Sequence, residues 1–192
     1  MTDWLVVYSP SFFYTLVILC ALGMLLERSG IATTLALTFK GDVKRETRFL
    51  AQYGQSVCTV VLAVLVWRMD RAAAHRWAWL KILVAVSATS VAAFLVKRLL
   101  GRVRPGRPSA GKFLGPTLKH ANFRESFPSS HSACAVALSV ALAVLYPVGA
   151  PIFWTLALIC AVLRYIMDAH WPSDVLGGIA LGYGMAHWVM RI

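Results

Sequence analysis

Long stretches without a formal charge constrain the fold of this chain more than any other feature of its sequence. The longest, from Ser126 to Leu163, contains no Asp, Glu, Lys or Arg, and Trp4 to Leu26 is also free of charge. A helix needs about 20 apolar residues to cross the hydrocarbon core of a bilayer. Because 59% of the 192 residues are hydrophobic, the sequence predicts an integral membrane protein rather than a soluble domain.

The breaks between the apolar runs predict six transmembrane helices. Pro147, Gly149 and Pro151 divide the long uncharged stretch into two of these helices, joined by a tight turn. The first run has no basic region before it and no convincing cleavage site after it, so we expect a retained helix rather than a signal peptide. The predicted fold is an all-α membrane bundle that forms a single domain over residues 1–192. The predicted spans cover residues 4–26, about 49 or 51 to 67, 77–96, the two parts of 126–163, and 175–190.

The segment between the first two predicted spans has a different composition. Ser29 to Leu50 mixes apolar residues with charged ones, a pattern typical of an amphipathic helix that lies in the membrane interface. A solvated connection between helices would have the same composition. We therefore predict an interfacial amphipathic segment between helices 1 and 2 and keep the solvated connection as its alternative.

The net charge of +11 at pH 7 is carried by few residues, which lie between the apolar runs. This placement favours anionic lipid headgroups or a phosphorylated substrate as partners and argues against nucleic acid. The 4 cysteines each stand alone inside an apolar segment, where thiols usually act as small hydrophobic side chains. No cluster of carboxylates is present to bind a metal ion, so we predict neither a metal nor a cofactor.

A short polar segment opens one of the apolar helices. Pro128-Ser129-Ser130-His131-Ser132 precedes the uncharged run from Ala133 to Leu145. A proline and two serines before such a run predict a helix N-terminus with a hydroxyl cap. The free amides of a first helical turn, together with the helix dipole, bind anions. We therefore expect an anion site at this helix end.

Basic residues before this segment are candidates for binding the anion. Lys97 and Arg104 are seven residues apart and could share one face at the end of the third helix, which Pro105 would terminate. The alternative is that both side chains extend to the membrane surface from a helix end. We assign the other basic residues of this region to a background field that attracts anionic substrate: Arg98, Arg102, Arg107, Lys112, Lys119 and Arg124.

A third group, Arg164, His170 and Asp174, lies where the fifth predicted helix ends and the sixth begins. Ionisable residues beside a membrane span are costly and usually have a partner or a role. Asp174 can accept a hydrogen bond from one ring nitrogen of His170, which would leave the other nitrogen free as a nucleophile. Asp168 is an alternative partner of His170, or it could pair with Arg164. With six helices, the connections 27–50, 97–129 and 164–174 share one side of the membrane, so every candidate converges on one face.

The candidate residues form three motifs along the chain: Lys97-x6-Arg104-Pro105, Pro128-Ser129-Ser130-His131 and Arg164-x5-His170-x3-Asp174. In this order the motifs resemble the signature of the type 2 phosphatidic acid phosphatase superfamily, which also includes the vanadium haloperoxidases. The chain departs from the family pattern twice, with Ser130 in place of a usual glycine and Leu163 in place of a usual serine. Because Ser130 keeps its backbone amide, we expect the site to survive, whereas Leu163 removes a possible hydroxyl contact.

The resemblance implies a mechanism for this chain. His170 would attack phosphorus and form a phosphohistidine, with Asp174 orienting its ring. His131 would protonate the leaving alkoxide and then help to activate water. Positioning and charge neutralisation dominate phosphoryl transfer, and the cations would supply them here without a metal ion. The implied ligands of the phosphate oxygens are Lys97, Arg104, Arg164, Ser129 and the amides near Ser130 and His131.

The predicted function is that of a membrane lipid phosphatase that hydrolyses a phosphate monoester or diphosphate on a lipid. Phosphatidic acid, phosphatidylglycerol phosphate, a polyprenyl diphosphate and a lipid A phosphate all fit this description, and the sequence specifies neither the lipid nor the oligomeric state. A lipid phosphotransferase with the same intermediate is one alternative. A non-enzymatic anion channel or transporter is another, and it would distribute its charges across the membrane depth. A soluble haloperoxidase does not fit the apolar spans.

Two arguments disagree about the side of the membrane that carries the motifs. That side has 14 of the 19 Lys and Arg residues, so the positive-inside rule would place it in the cytoplasm. Bacterial members of the family that this chain resembles generally have their site outside the cytoplasm. Because several of these cations are candidate substrate ligands, we follow the family and predict a multi-pass protein of the bacterial inner membrane with a periplasmic site and cytoplasmic termini.

Overall fold

The computed structural model describes residues 6–31, 35, 41–69 and 76–192. Within these ranges the protein is helical, as predicted, and contains no β-strand apart from an isolated bridge between Arg102 and Phe113. Short 3-10 turns occupy Ala51–Gly54, Asn122–Arg124 and Pro147–Gly149. The α-helices are α1 (Pro10–Arg28), α2 (Gly41–Leu50), α3 (Ser56–Met69), α4 (Ala78–Leu100), α5 (Ser130–Leu145), α6 (Ala150–Ile166) and α7 (Pro172–Arg191).

Three helical segments of the described chain are long and apolar enough to cross a membrane: α1, α4 and residues 147–166. The pair α2 and α3, bent by 56° at residue 55, would make a fourth if it forms one span. The chain is therefore a multi-pass membrane protein, while the count of six spans stays a prediction. The helix α2 belongs to the predicted interfacial segment, but residues 32–34 and 36–40 of that segment lie outside the described residues. Its position in the membrane interface also stays a prediction.

The helix α5 forms the centre of the bundle. Every residue from Ser132 to Ala143 is buried, and the helix packs against α4, α6 and α7. A helix that is apolar on all sides belongs inside a bundle, and its many alanines let the neighbouring helices approach closely. The buried hydroxyl of Ser139 is satisfied by the Phe153 carbonyl at 2.6 Å and by the Tyr53 hydroxyl at 2.9 Å.

Two glycines of α7 set its distance from α5. A Cβ atom at Gly178 would lie 2.5 Å from the Ser129 carbonyl oxygen, and one at Gly182 would lie 2.2 Å from the Ala133 carbonyl oxygen. Only glycine permits backbones to approach so closely. The contact places the N-terminal half of α7, which carries Asp174, beside the first turn of α5, which carries Ser130 and His131.

The end of α4 differs from the prediction. The helix stops at Leu100, because Gly101 adopts a left-handed conformation with φ 60° and its amide caps the Lys97 carbonyl at 3.0 Å. A Cβ atom at this position would also lie 2.6 Å from the Gly115 carbonyl oxygen. The prediction that Lys97 and Arg104 share a helix face that ends at Pro105 was therefore wrong, since Arg104 lies in the loop that follows α4.

Replacing Gly182 with alanine should destabilise the bundle, because the added methyl group must push α5 and α7 apart. We expect a cost of about 1–3 kcal/mol, typical of overpacking, and a lower midpoint of thermal unfolding in detergent. Gly184→Ala on the same helix is the matched control, because its new Cβ would meet only the end of the Phe13 ring, at 3.1 Å. Equal midpoints for the two variants would contradict this account of the helix contact.

Candidate active site

The three motifs meet at one end of the bundle, where α4 and α6 end and α5 and α7 begin. The Ser129 amide donates to the Asp174 carbonyl at 2.9 Å, which ties the start of α5 to the first turn of α7. The Ser126 amide donates to the Arg102 carbonyl at 3.0 Å, which ties the same segment to the loop after α4. Backbone hydrogen bonds thus bring together segments that are distant in sequence.

The helix α5 begins at Ser130, and Ser129 is its N-cap, as the sequence predicts. The Ser129 hydroxyl oxygen accepts from the Ser132 amide at 3.5 Å and from the Ser132 hydroxyl at 2.9 Å. Because Ser129 is fully buried, the structure gives its hydroxyl a capping role, and direct contact with phosphate stays a prediction. The amides of Ser130 and His131 belong to the first turn, where no carbonyl of the helix is in reach. They are the better candidates for binding an anion.

The hydrogen bond of His170 determines which of its nitrogens can react. The ring is almost fully buried, at 1% exposure, and its Nδ1 lies 2.8 Å from the Ser126 carbonyl oxygen. A carbonyl can only accept, so Nδ1 carries the proton and the lone pair resides on Nε2. Burial lowers the pKa of His170 to about 4, against the opposing effect of Asp174. The ring is therefore neutral at pH 7, the state that a nucleophile requires.

The predicted hydrogen bond between Asp174 and His170 is not formed, and Ser126 connects the two side chains instead. Asp174 Oδ2 lies 3.7 Å from His170 Nδ1, beyond hydrogen-bond length, because the Ser126 carbonyl occupies that position. The same Oδ2 accepts from the Ser126 hydroxyl and from the Trp171 amide, the latter at 3.0 Å. Ser126 thus links the carboxylate to the imidazole, although it belongs to none of the three sequence motifs.

The structure also corrects the assignment of Arg102 to the background field. Its side chain is buried, with NH1 2.6 Å from Asp174 Oδ1 and NH2 2.6 Å from Glu27 Oε2. The guanidinium lies 5.3 Å from the Phe113 ring centre and 5.5 Å from that of Trp171. Arg102 therefore neutralises two buried carboxylates instead of attracting substrate.

Glu27 connects the first helix to this network. It lies in the last turn of α1, and its carboxylate accepts from the Ser173 amide at 3.1 Å and from the Ser173 hydroxyl. A lone acidic residue at the end of an uncharged span needs a partner, so the sequence contained the signal for this contact. The spacing of the motifs did not, because Glu27 lies far from all of them in the chain.

Lys97 and Arg104 both reach backbone carbonyls rather than carboxylates. The Lys97 ammonium donates to the Glu125 carbonyl at 3.0 Å, and one nitrogen of Arg104 reaches the same oxygen at 3.4 Å. Arg104 also donates to the carbonyls of Asn122, at 2.8 Å, and Ala169, at 3.0 Å. These contacts orient both side chains and leave their charges available to an anion.

Arg164 has still fewer partners. Within the described part of the chain, its buried Nε has no hydrogen-bond acceptor, and Asp168 Oδ1 likewise has no donor. No hydrogen bond or ion pair joins the two side chains among these residues, so the alternative pairing of Arg164 with Asp168 is not formed. A half-buried arginine without a carboxylate partner is suited to bind a phosphate.

His131 completes the group. It is half-buried in the first turn of α5, and its Nε2 lies 3.3 Å from the side-chain nitrogen of Gln55. Gln55 lies between α2 and α3 and belongs to none of the sequence motifs. The cations that act electrostatically on His131 are the predicted phosphate ligands Arg164, Lys97 and Arg104.

Comparison with known proteins identifies the family of this chain. Residues 77–192 match the model of the PAP2 superfamily. The chain belongs to the PAP2 superfamily. The family predicted from the three motifs is thus confirmed.

Curated relatives of this PAP2 protein are phosphatases. It is 30% identical over 156 residues to a lipid A 1-phosphatase of Rhizobium etli, covering 73% of this chain and 67% of that protein. A lipid A 1-phosphatase of Rhizobium johnstonii is 30% identical over 177 residues, or 84% of this chain and 71% of that protein. A decaprenylphosphoryl-5-phosphoribose phosphatase of Mycolicibacterium smegmatis is 28% identical over 148 residues, with coverages of 77% and 78%. The predicted class, a phosphoric ester hydrolase, is confirmed at this level.

A solved structure shares the fold. The crystal structure of a PAP2-type phosphatidylglycerolphosphate phosphatase from Bacillus subtilis superposes with a TM-score of 0.59 at 18% identity. The match covers 94% of this chain and 93% of the other. The helical bundle of this PAP2 protein is therefore that of a known membrane enzyme.

Removing the Glu27 carboxylate from this PAP2 protein should be costly, because it leaves the buried Arg102 with one carboxylate instead of two. Breaking a buried ion pair costs about 3–5 kcal/mol, so Glu27→Ala should strongly lower the thermal unfolding midpoint in detergent. Glu46→Ala is the matched control, since Glu46 pairs with Arg45 at 3.5 Å on the surface, with 62% of its side chain exposed. Such a pair contributes about 0–1 kcal/mol. A Glu27 variant as stable as the Glu46 variant would refute the proposed importance of the buried pair.

Proposed function

We propose that this protein removes phosphate from a membrane lipid through a phosphohistidine intermediate at His170. The observation that carries the proposal is the bond from His170 Nδ1 to the Ser126 carbonyl, which leaves an unprotonated Nε2 in a cationic site. The relatives support a lipid as the carrier of the phosphate, because their names specify lipid A and a decaprenylphosphoryl sugar as substrates. The proposed substrate class is a lipid phosphate monoester or diphosphate.

The proposed reaction has two steps. In the first, the Nε2 lone pair of His170 forms a bond to phosphorus, the bond to the lipid oxygen breaks, and His131 donates a proton to the departing alkoxide. In the second, a water molecule attacks the phosphohistidine while His131 takes a proton from it. The P–N bond breaks, inorganic phosphate is released and His170 is restored. Asp174 acts through Ser126, which holds the imidazole ring in the required tautomer.

The basic residues stabilise the transferring group. Lys97 and Arg104 donate to backbone carbonyls, and Arg164 has no carboxylate partner, so none of the three is neutralised within the described structure. Together with the amides of Ser130 and His131, they can bind the equatorial oxygens of the phosphoryl group. The anion-channel alternative predicts charges spread across the membrane depth, whereas these charges gather at one end of the bundle.

We also propose that residues 1–192 form one domain in a bacterial inner membrane, with the site on the periplasmic side. The family model begins at residue 77, but α1 contributes Glu27 to the site network. The match to the Bacillus subtilis structure extends over nearly the whole chain. Both observations support a single unit that includes the first helix.

Purified protein in detergent should release inorganic phosphate from at least one member of a lipid panel, which comprises lipid A phosphate, a polyprenyl diphosphate, phosphatidylglycerol phosphate and phosphatidic acid. His170→Ala should abolish turnover, because every substrate requires the nucleophile. A chelator should have no effect, while vanadate, which mimics the transferring phosphoryl group, should inhibit. His120→Ala is the control, since His120 is exposed and contacts Glu125 rather than the proposed phosphate ligands. Activity that persists in the His170 variant, or that a chelator removes and Mg²⁺ restores, would refute the mechanism.

The topology can be tested separately with fusions after Ile192. If the site is periplasmic and the chain has six spans, the C-terminus lies in the cytoplasm, and a reporter that is active only there should give signal. A reporter that requires export to the periplasm should stay silent at the same position. The reverse pattern would show that the positive-inside rule, and not the family, predicts the orientation.

A further inference from the structure

We infer that Gln55 is a positioning residue for His131, an inference that rests on the proposed role of His131 as general acid. Gln55 lies between α2 and α3, at the bend of 56°. Its backbone is extended, with φ −105° and ψ 158°, and its amide bonds to the Gln52 carbonyl at 2.8 Å. Neither helix continues through this residue, so the bend determines where its side chain is presented.

The bend between α2 and α3 packs against the first turn of α5, which carries His131. A Cβ atom at Gly54 would lie 2.2 Å from the His131 carbonyl oxygen, so the two backbones are in direct contact. From α6, the Cys160 thiol reaches the carbonyl of Ala51 at 3.5 Å and that of His131 at 3.9 Å. These contacts give Gln55 a defined place beside the His131 ring.

Within this arrangement the Gln55 amide contacts the reactive ring itself. Its side-chain nitrogen lies 3.3 Å from Nε2 of His131, so it can donate a hydrogen bond to the lone pair of the neutral ring. After a half-turn of the amide, its oxygen can accept from the N–H of the protonated ring. His131 must hold a proton in one step and accept one in the next, and glutamine can bond to both states. A carboxylate would instead favour the protonated state alone.

The position of Gln55 also argues against a role in packing. Gln55 is exposed, whereas Ala51, Tyr53 and Gly54 of the preceding turn are buried. An exposed side chain contributes little to the stability of a helical bundle. Gln55→Leu should therefore fold normally and lose only the contact with His131.

The test compares two substrates that differ in their need for an acid. The first is the best lipid phosphate of the panel, whose leaving alkoxide must be protonated. The second is 4-nitrophenyl phosphate, whose leaving group departs without help. General acid catalysis contributes about 10²–10⁴-fold, so we expect Gln55→Leu to lower kcat on the lipid by roughly 10-fold or more. Its kcat on the aryl phosphate should change by less than about 3-fold, a contrast that a general structural defect would not produce.

Two further variants complete the design. Gln52→Leu is the matched control, because Gln52 is also an exposed glutamine of the same bend and makes no hydrogen bond to His131 among the described residues; it should keep both activities. His131→Ala should show a still larger loss on the lipid than on the aryl phosphate. Gln55→Leu should then have no further effect in the His131→Ala background, because its role passes through the ring.

The outcomes separate this inference from the proposed function. Equal losses on both substrates in Gln55→Leu, no loss on either, or a full additional loss in the His131→Ala background would each overturn the inference alone. A folded wild-type protein that hydrolyses none of the phosphate esters would overturn the proposed function and the inference with it.

Discussion

The rest of the site depends on the hydrogen bonds and the ion pair that the buried carboxylate of Asp174 forms. This carboxylate lies fully buried in the first turn of α7 and accepts from Arg102, Ser126 and the Trp171 amide. A buried carboxylate without such partners would be expelled or protonated. Each partner brings a different segment into place: the loop after α4, the approach to α5 and the start of α7 itself.

The network around Asp174 also explains why His170 can be buried and neutral. Ser126 donates its hydroxyl to the carboxylate and accepts from the imidazole through its carbonyl oxygen, so one residue fixes both the position and the tautomer of the ring. Arg102 balances the charge of Asp174 and extends the network to Glu27 on α1. The first helix is thereby part of the support of the site, although it contributes no residue to the three motifs.

The charged residues of this end of the bundle fall into two groups that differ in what neutralises them. Arg102 is paired with two carboxylates, while Lys97 and Arg104 donate to backbone carbonyls. Arg164 has a buried nitrogen without an acceptor in the described structure. Burying cations without counter-ions costs free energy, and a bound phosphate dianion would offset that cost. This contrast in pairing distinguishes Arg102 from the three cations proposed as substrate ligands, a distinction that their positions in the sequence do not show.

The sequence alone determined the helical membrane class, the family and the start of α5, because these depend on local signals. Apolar runs, a serine cap and motif residues at fixed spacing are visible without any knowledge of the packing. It also indicated that His131, His170, Arg164 and Lys97 belong together, and the structure places them at one end of the bundle. The extent of α4 was mispredicted because Gly101, rather than Pro105, ends the helix through its left-handed backbone.

Only the tertiary structure decided which residues contact one another. The partners of Arg102 are Glu27, Ser173 and Asp174, more than 70 residues away in the chain, and no periodicity relates them. The contact of Gln55 with His131 depends on a bend between two helices and on a glycine that lets two backbones meet. Hydrogen bonds and ion pairs act over a few ångströms in space, whereas sequence patterns report only the local geometry of a helix. The packing of the helices therefore determines which charged side chains of the site are paired with one another.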